Sequence, residues 1–132
     1  MTEFAIRTTS HCQFVNIDRQ VQRAVDEANV KDGVCVVFVP HTTAGITINE
    51  NADPDVVADM KTILERVVPW EGGYAHAEGN AAAHVKASMM GASQHVIIKG
   101  GRIQLGTWQS LYFCEFDGPR SRKVWVQILR SE

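Results

Sequence analysis

The segment Val34-Cys-Val-Val-Phe-Val39 is the longest uninterrupted apolar stretch in the chain, and it limits the fold more than any other feature. It is one strand long, far short of the ~20 residues that a bilayer-crossing helix needs. Its β-branched side chains suit a strand covered on both faces. The run stops at Pro40-His-Thr-Thr43, so a polar loop leaves a rigid, buried element directly. Such loops commonly carry function, because the strand fixes their position.

The remaining pattern supplies companions for that strand. Phe4 to Thr9 and Cys12 to Ile17 read as short strands, with a turn near Ser10-His11. Asp18 is placed to cap a helix in which Val21, Ala24, Val25 and Ala28 share a face; Lys31-Asp32-Gly33 would stop it, with Gly33 in the left-handed exit geometry. A strand over roughly Gly45 to Asn49 follows. Asp53-Pro54 then opens a second helix whose stripe is Val56, Val57, Met60, Ile63, Leu64, Val67 and Val68, ended by Pro69.

Trp70 to Gly79 reads as a loop, and Asn80 caps a third helix through Met90 with Gly91 at its exit. The last third is strand-like: Gln94 to Lys99, a Gly100-Gly101 turn, Arg102 to Asp117 with a break at Gly106, then Lys123 to Arg130 after Gly118-Pro119-Arg120. Strands grouped at the ends with helices between them, without regular βαβ alternation, predict an α+β fold: a mixed or antiparallel sheet packed with helices. The 132 residues suffice for one domain, spanning 1–132, with a real core of its own.

Thirteen basic against fifteen acidic residues give a net charge of −2 and a pI of about 6.2, so no basic field favours nucleic acid. No apolar segment predicts a membrane partner, and the first residues lack a secretion signal. Cys12, Cys35 and Cys114 are odd in number, widely spaced and without a Cys-x-x-Cys pair. They predict reduced thiols in a cytoplasmic protein.

Polar residues gather at four places beside these elements. His41 leaves the apolar strand, and on sequence alone it is also readable as an ordinary loop histidine. His76 lies in the loop and His84 about a turn into the third helix. No compact His-x-x-x-His pair exists, although three imidazoles plus a water would form an open zinc site. His11 and His95 read as strand-end residues without a role.

Asn49, Glu50, Asn51 and Asp53 precede the second helix. Capping accounts for Asp53; the other three could orient a histidine, or hold Mg²⁺ with a substrate diphosphate. Strand alternation puts Thr107, Gln109, Leu111, Phe113 and Glu115 on one face. Glu115, beside apolar neighbours, then needs a partner or a raised pKa, unless it lies on an edge strand and reaches solvent. Arg120 and Arg122 follow Gly118, and their guanidinium forks suit phosphate oxygens. Gly-x-x-x-x-Gly-Lys, Gly-x-Gly-x-x-Gly and Gly-x-Ser-x-Gly are all absent, so common nucleotide cradles and serine hydrolysis are disfavoured.

Four blocks occur in order: His41-Thr-Thr-Ala-Gly-Ile-Thr-Ile-Asn-Glu-Asn-Ala-Asp-Pro54, Glu78-Gly-Asn-Ala-Ala-Ala-His-Val-Lys86, Gly106-Thr-Trp-Gln109 and Asp117-Gly-Pro-Arg-Ser-Arg122. Together they resemble the YjbQ family of small proteins, often labelled secondary thiamine-phosphate synthases. The resemblance runs through nearly the whole chain. It implies a homotrimer about a three-fold axis with sites near the subunit contacts, and a possible Mg or Zn site on His41, His76 and His84. Some relatives carry an acidic residue where this chain has Ala81, Ala82 and Ala83, so no carboxylate ligand is expected from that stretch.

The family label implies joining a pyrimidine diphosphate to a thiazole phosphate, a reaction needing leaving-group stabilisation and alignment more than covalent help. On that reading His41, Glu50, Gln109 and Glu115 are the catalytic candidates. Thr42, Thr43, Asn49, Asn51, Asp53, Lys86, Trp108, Arg120 and Arg122 are the binding candidates. Two other readings keep the site and change its use. One is metal-dependent hydrolysis of a small phosphorylated or amide substrate; the other is a non-catalytic trimeric module that captures a small anion.

Overall fold

The computed structural model describes residues 1–131 and contains two antiparallel sheets and three helices, a mixed α+β arrangement. The strands are β1 (Thr2–Arg7), β2 (Gln13–Asn16), β3 (Gly33–Phe38), β4 (Ala44–Glu50), β5 (Ser93–Lys99), β6 (Arg102–Ile103), β7 (Gln109–Glu115) and β8 (Ser121–Arg130). The helices are α1 (Asp18–Ala28), α2 (Pro54–Val67) and α3 (Ala81–Met90). One sheet runs β1-β8-β3-β5-β6 and the other β2-β7-β4. The two N-terminal strands therefore belong to different sheets.

The main core lies between the sheets. Cys35 and Val37 of β3, with Val124 and Val126 of β8, meet Ile46 of β4 and Leu111 and Phe113 of β7; Val21 and Val25 of α1 complete it. Period-two alternation sends the neighbours of those β7 residues the other way. Tyr112 and Cys114 join Phe116, Ala83, Ala87 and Leu64 in a second cluster beneath α3 and α2. The three-stranded sheet is thus covered on both faces, and β7 is its central strand.

The five-stranded sheet is not. Val34 and Phe38 are exposed on its outer side, and the register aligns Ile97, Val34 and Leu129 in one row across three strands. The apolar run thus makes a strand covered on one face, not two, because among the described residues no helix packs on the outer side. The stripe of α2 is likewise only partly used: Leu64 is buried, whereas Ile63 and Val67 are exposed.

Several local expectations change for identifiable reasons. Asn29, at φ 54°, takes the left-handed exit of α1. Gly33 instead starts β3, where an added Cβ would stand 2.1 Å from the Leu129 carbonyl oxygen. Asp18 begins α1 but does not cap it. Asn16 Oδ1 accepts from the Asp18 N–H at 2.9 Å, and Asp18 Oδ1 accepts from the Leu111 N–H at 2.8 Å, binding helix to sheet. Asp53 does cap α2, taking the Asp55 N–H at 2.9 Å with Pro54 at the first helical position. The break expected at Gly106 falls within residues 104–108, which separate β6 from β7.

Candidate functional site

Two glycines and a proline set the local geometry. Gly45 lets α3 lie against β4: a Cβ there would sit 2.9 Å from the Gly91 carbonyl oxygen and 3.0 Å from Met90 Cβ. The small Ala83 and Ala87 complete that close contact, which brings His84 over the start of β4. Gly118 permits a tight turn over Glu115, where a Cβ would meet the Ser10 carbonyl oxygen at 2.4 Å and Glu115 Cγ at 2.8 Å.

Pro40 follows the end of the strand. Strand β3 ends at Phe38, opposite Trp125, and continuing that register puts Lys123 opposite Pro40. Beyond that point the imidazole of His41 supplies an acceptor to β8: its Nε2 takes the Lys123 N–H at 2.9 Å. An accepting Nε2 leaves the proton of the neutral ring on Nδ1. Burial, then the nearby Arg122 cation, holds the His41 pKa below its ordinary value, which keeps that neutral form populated.

His41 opens onto a cavity of about 600 Å³ that Thr42, Thr43, His76 and His84 also line. The His76 and His84 rings stand edge-on, with centroids 5.2 Å apart. Glu78, Asn80, Arg120 and Arg122 contribute to the same wall. A hollow of about 510 Å³ adjoins it, sharing His41, Thr42 and His84. The structure thus places His41, His76 and His84 on the lining of one pocket.

The cations of this wall are largely spoken for. Arg122 is buried and paired with the wholly buried Glu115, donating from Nε to Oε1 at 2.8 Å and from NH2 to Oε2. Its NH2 also donates to Thr43 Oγ1 at 2.8 Å. Burial alone would raise the Glu115 pKa. The hydrogen bonds from Arg122, Thr8 Oγ1 and the Asp117 N–H outweigh it, so the carboxyl is held below its ordinary value. Glu115 thus finds a partner, not the solvent exposure of an edge strand, and Arg122 is a clamp beneath the pocket whose Nε and NH2 are committed to Glu115 and Thr43.

Arg120 is more exposed, and donates through NH2 to Asp117 Oδ2 at 2.9 Å. Asp117 also takes Asn80 Nδ2 at 2.8 Å. That bond fixes the Asn80 amide and leaves its buried Oδ1 without a donor. An unpaired buried carbonyl costs about 1–3 kcal/mol, which a donor from a bound molecule would offset.

The other sequence candidates lie elsewhere. Glu50 pairs with Gln109 at the far end of β4, six residues from Ala44 and so about 20 Å from the histidine end at ~3.3 Å per residue. The two amide oxygens of that segment have local tasks there. Asn49 Oδ1 accepts from the Glu50 N–H at 2.7 Å, and Asn51 Oδ1 from Tyr112 Oη at 2.6 Å. Trp108 is exposed, its carbonyl taking the Asn51 N–H at 2.9 Å, while Gln109 Oε1 accepts from Gly106 N–H at 2.8 Å. Lys86 is buried and bound to Glu65 at 2.7 Å, away from the histidine pocket lining.

Sequence reasoning missed Thr8, Glu78, Asn80 and Asp117. The Asp-Gly-Pro turn before Arg120 was the available signal for Asp117, and Asn80 was read only as a helix cap. His11, given no role, stands 3.9 Å from Asp117 and edge-on to Trp70.

The anticipated metal set does not fit this arrangement. His41 Nε2 is occupied by a backbone N–H, and no three His, Cys, Asp or Glu side chains among the described residues converge closely enough to hold an ion.

Comparison with known proteins gives concordant matches. The family model described as "UPF0047 protein YjbQ-like" matches residues 2–131. The UPF0047 protein YugU of Bacillus subtilis is 51% identical over 125 residues, covering 94% of this chain and 95% of the relative. A UPF0047 protein of Methanocaldococcus jannaschii is 48% identical over 127 residues, covering 96% and 92%. Among solved structures, a YjbQ/UPF0047 family protein from Clostridium acetobutylicum superimposes with a TM-score of 0.96 at 56% identity, covering 98% of this chain and 100% of that one. A protein from Aeropyrum pernix K1 gives 0.93 at 32% identity, covering 98% of each. These descriptions name a family and no reaction.

Proposed function

The chain belongs to the YjbQ-like UPF0047 family, and from that premise we propose that it is an enzyme of small phosphorylated molecules whose chemistry takes place in the histidine pocket. The observation that carries this reading is the shared lining: His41 from the loop after β3, with His76 and His84 from the approach to α3 and its second turn, face one cavity with Thr42 and Arg120. Imidazoles titrate near neutrality and serve as acids, bases or donors. His41, proton on Nδ1, is a donor toward an oxyanion. Asn80 Oδ1 favours a substrate that also brings a hydroxyl or amino group.

The reaction first in line is transfer of a pyrimidine methylene group to a thiazole phosphate. The thiazole nitrogen forms the new C–N bond while the C–O bond to diphosphate breaks, and the diphosphate departs with the electron pair. His41 Nδ1–H and the Thr42 hydroxyl stabilise that developing charge, and the pocket walls align the two partners. No step is assigned to a metal.

An assay with both precursors tests this, reading thiamine phosphate by fluorescence after oxidation. Product should form above an enzyme-free blank and fall at least about a hundredfold in His76→Ala/His84→Ala, which should keep its fold. No product from the native chain removes the transferase reading. Tight retention of a phosphorylated ligand without turnover would instead select the anion-binding alternative.

The reading includes a cytoplasmic homotrimer. The outer row Ile97, Val34 and Leu129, with Ile63 and Val67 of α2 and Val85 and Met89 of α3, leaves apolar surface uncovered, as at subunit interfaces. Cys12, Cys35 and Cys114 are all free, and among the described residues no helix is long and apolar enough to cross a membrane. Light scattering should return three times the 14.6 kDa chain mass; a monomer mass at micromolar concentration overturns the assembly.

A further inference from the structure

A groove beside α1 holds a group of cations that the histidine pocket does not use. A cavity of about 480 Å³ there is lined by Arg19 and Arg23 of α1, Arg102 of β6, and Ile103 and Leu105. A hollow of about 580 Å³ next to it also shares Arg19 and Arg23. Neither has a lining residue in common with the histidine pocket.

Arg19 and Arg23 are four residues apart, so they stand one above the other on the helix, a spacing at which like charges repel. Among the described residues, no carboxylate oxygen lies within 4.0 Å of a nitrogen of Arg19, Arg23 or Arg102. The two acidic residues at the groove have other partners. Asp18 Oδ1 accepts from the Leu111 N–H at 2.8 Å, and Asp26 Oδ1 from Gln22 Nε2 at 2.8 Å.

Both walls are held in place. Gly100 and Gly101, at φ 60° and 78°, form the two-residue turn between β5 and β6, a left-handed pair of positions that glycine fills without strain. Gln22 then fastens this hairpin to α1. Its Nε2 donates to the Gly101 carbonyl at 2.9 Å, and its Oε1 accepts from the Ile103 N–H at 3.0 Å. The backbone on either side of Arg102 is thereby held against α1, which carries Arg19 and Arg23.

We propose that this groove is a second anion site, for a small phosphorylated molecule with an apolar body. The three guanidinium groups hold the phosphate dianion, whose charge relieves their mutual repulsion, and Ile103 and Leu105 carry the body. The site is independent of the reaction assigned to the histidine pocket.

The test is an NMR titration of the ¹⁵N-labelled chain with phenyl phosphate, and separately with inorganic phosphate, at constant ionic strength. Saturable shifts are expected at the amides of Arg19, Arg23, Arg102 and Ile103, with phenyl phosphate the tighter probe. Arg19→Gln/Arg23→Gln should weaken binding by about tenfold or more. His76→Ala/His84→Ala should leave it unchanged, which separates this site from any failure of the histidine pocket. No saturation by about 20 mM, an equal response to sodium chloride, or undiminished binding by the arginine double variant overturns the proposal. Equal affinity for the two probes overturns the part given to Ile103 and Leu105.

Discussion

Arg122→Met is expected to destabilise the chain by about 3–5 kcal/mol, read as a lowered urea midpoint with an unchanged slope. The loss follows from what stays behind. Glu115 is wholly buried, and without the guanidinium its carboxylate keeps only the Thr8 hydroxyl and the Asp117 N–H. Thr43 also loses the donor to its Oγ1. Since the penalty belongs to the orphaned charge, Glu115→Gln/Arg122→Met should recover most of it; equal losses in single and double variants would mean that packing, not charge, is responsible.

The same pair sets an acid limit. The Glu115 carboxyl is held below its ordinary value of 4.5 in the folded chain, so as the pH falls the unfolded chain takes up the proton first. The pair's contribution is therefore fully present above pH 4.5 and lost as the pH drops through the lower folded value. In Arg122→Met the burial that dominates this site acts with little opposition, and the carboxyl shifts upward. The variant should then lose the native acid dependence below pH 4.5.

What the sequence disclosed follows a physical division. Periodicity reports which face of an element is apolar, so α1, α2, α3 and the inner faces of β3 and β7 were legible. Periodicity does not report what covers an apolar face. Val34, Ile63 and Val67 were read as interior, yet they are exposed in the single chain. Local chemistry misled where a residue's task is remote. Gly33 looks like a helix stop but is required by the Leu129 carbonyl, far along the chain.

The site shows the same limit. The convergence of His41, His76 and His84 came from resemblance, whereas the pairing of Arg122 with Glu115 depends on a turn and a register that spacing cannot supply. Asn49, Glu50, Asn51 and Asp53 looked like one cluster because they are consecutive. The side-chain oxygens of Asn49, Asn51 and Asp53 are divided among a turn, Tyr112 and a helix cap.

His41→Ala should lower turnover by about 10²–10⁴-fold while costing about 1 kcal/mol or less of stability. The two effects separate because the Lys123 N–H that binds His41 Nε2 is solvent-accessible, so water can replace the ring as its acceptor. His41→Gln sharpens the distinction. Its amide oxygen can take the Lys123 N–H and restore the fold, and its amide NH2 can still donate toward the oxyanion. Recovered stability with partly recovered turnover is the outcome expected of the donor role; recovered stability with no recovered turnover would assign His41 proton transfer instead.

The pH profile supplies an independent check on that residue. Burial and Arg122 lower the His41 pKa from 6.5, so the neutral ring survives below that pH and the acid limb of turnover should lie below 6.5 as well. A variant that raises KM and leaves kcat intact would instead assign His41 to uniform binding of the anion, because a group acting only in the transition state must lower kcat.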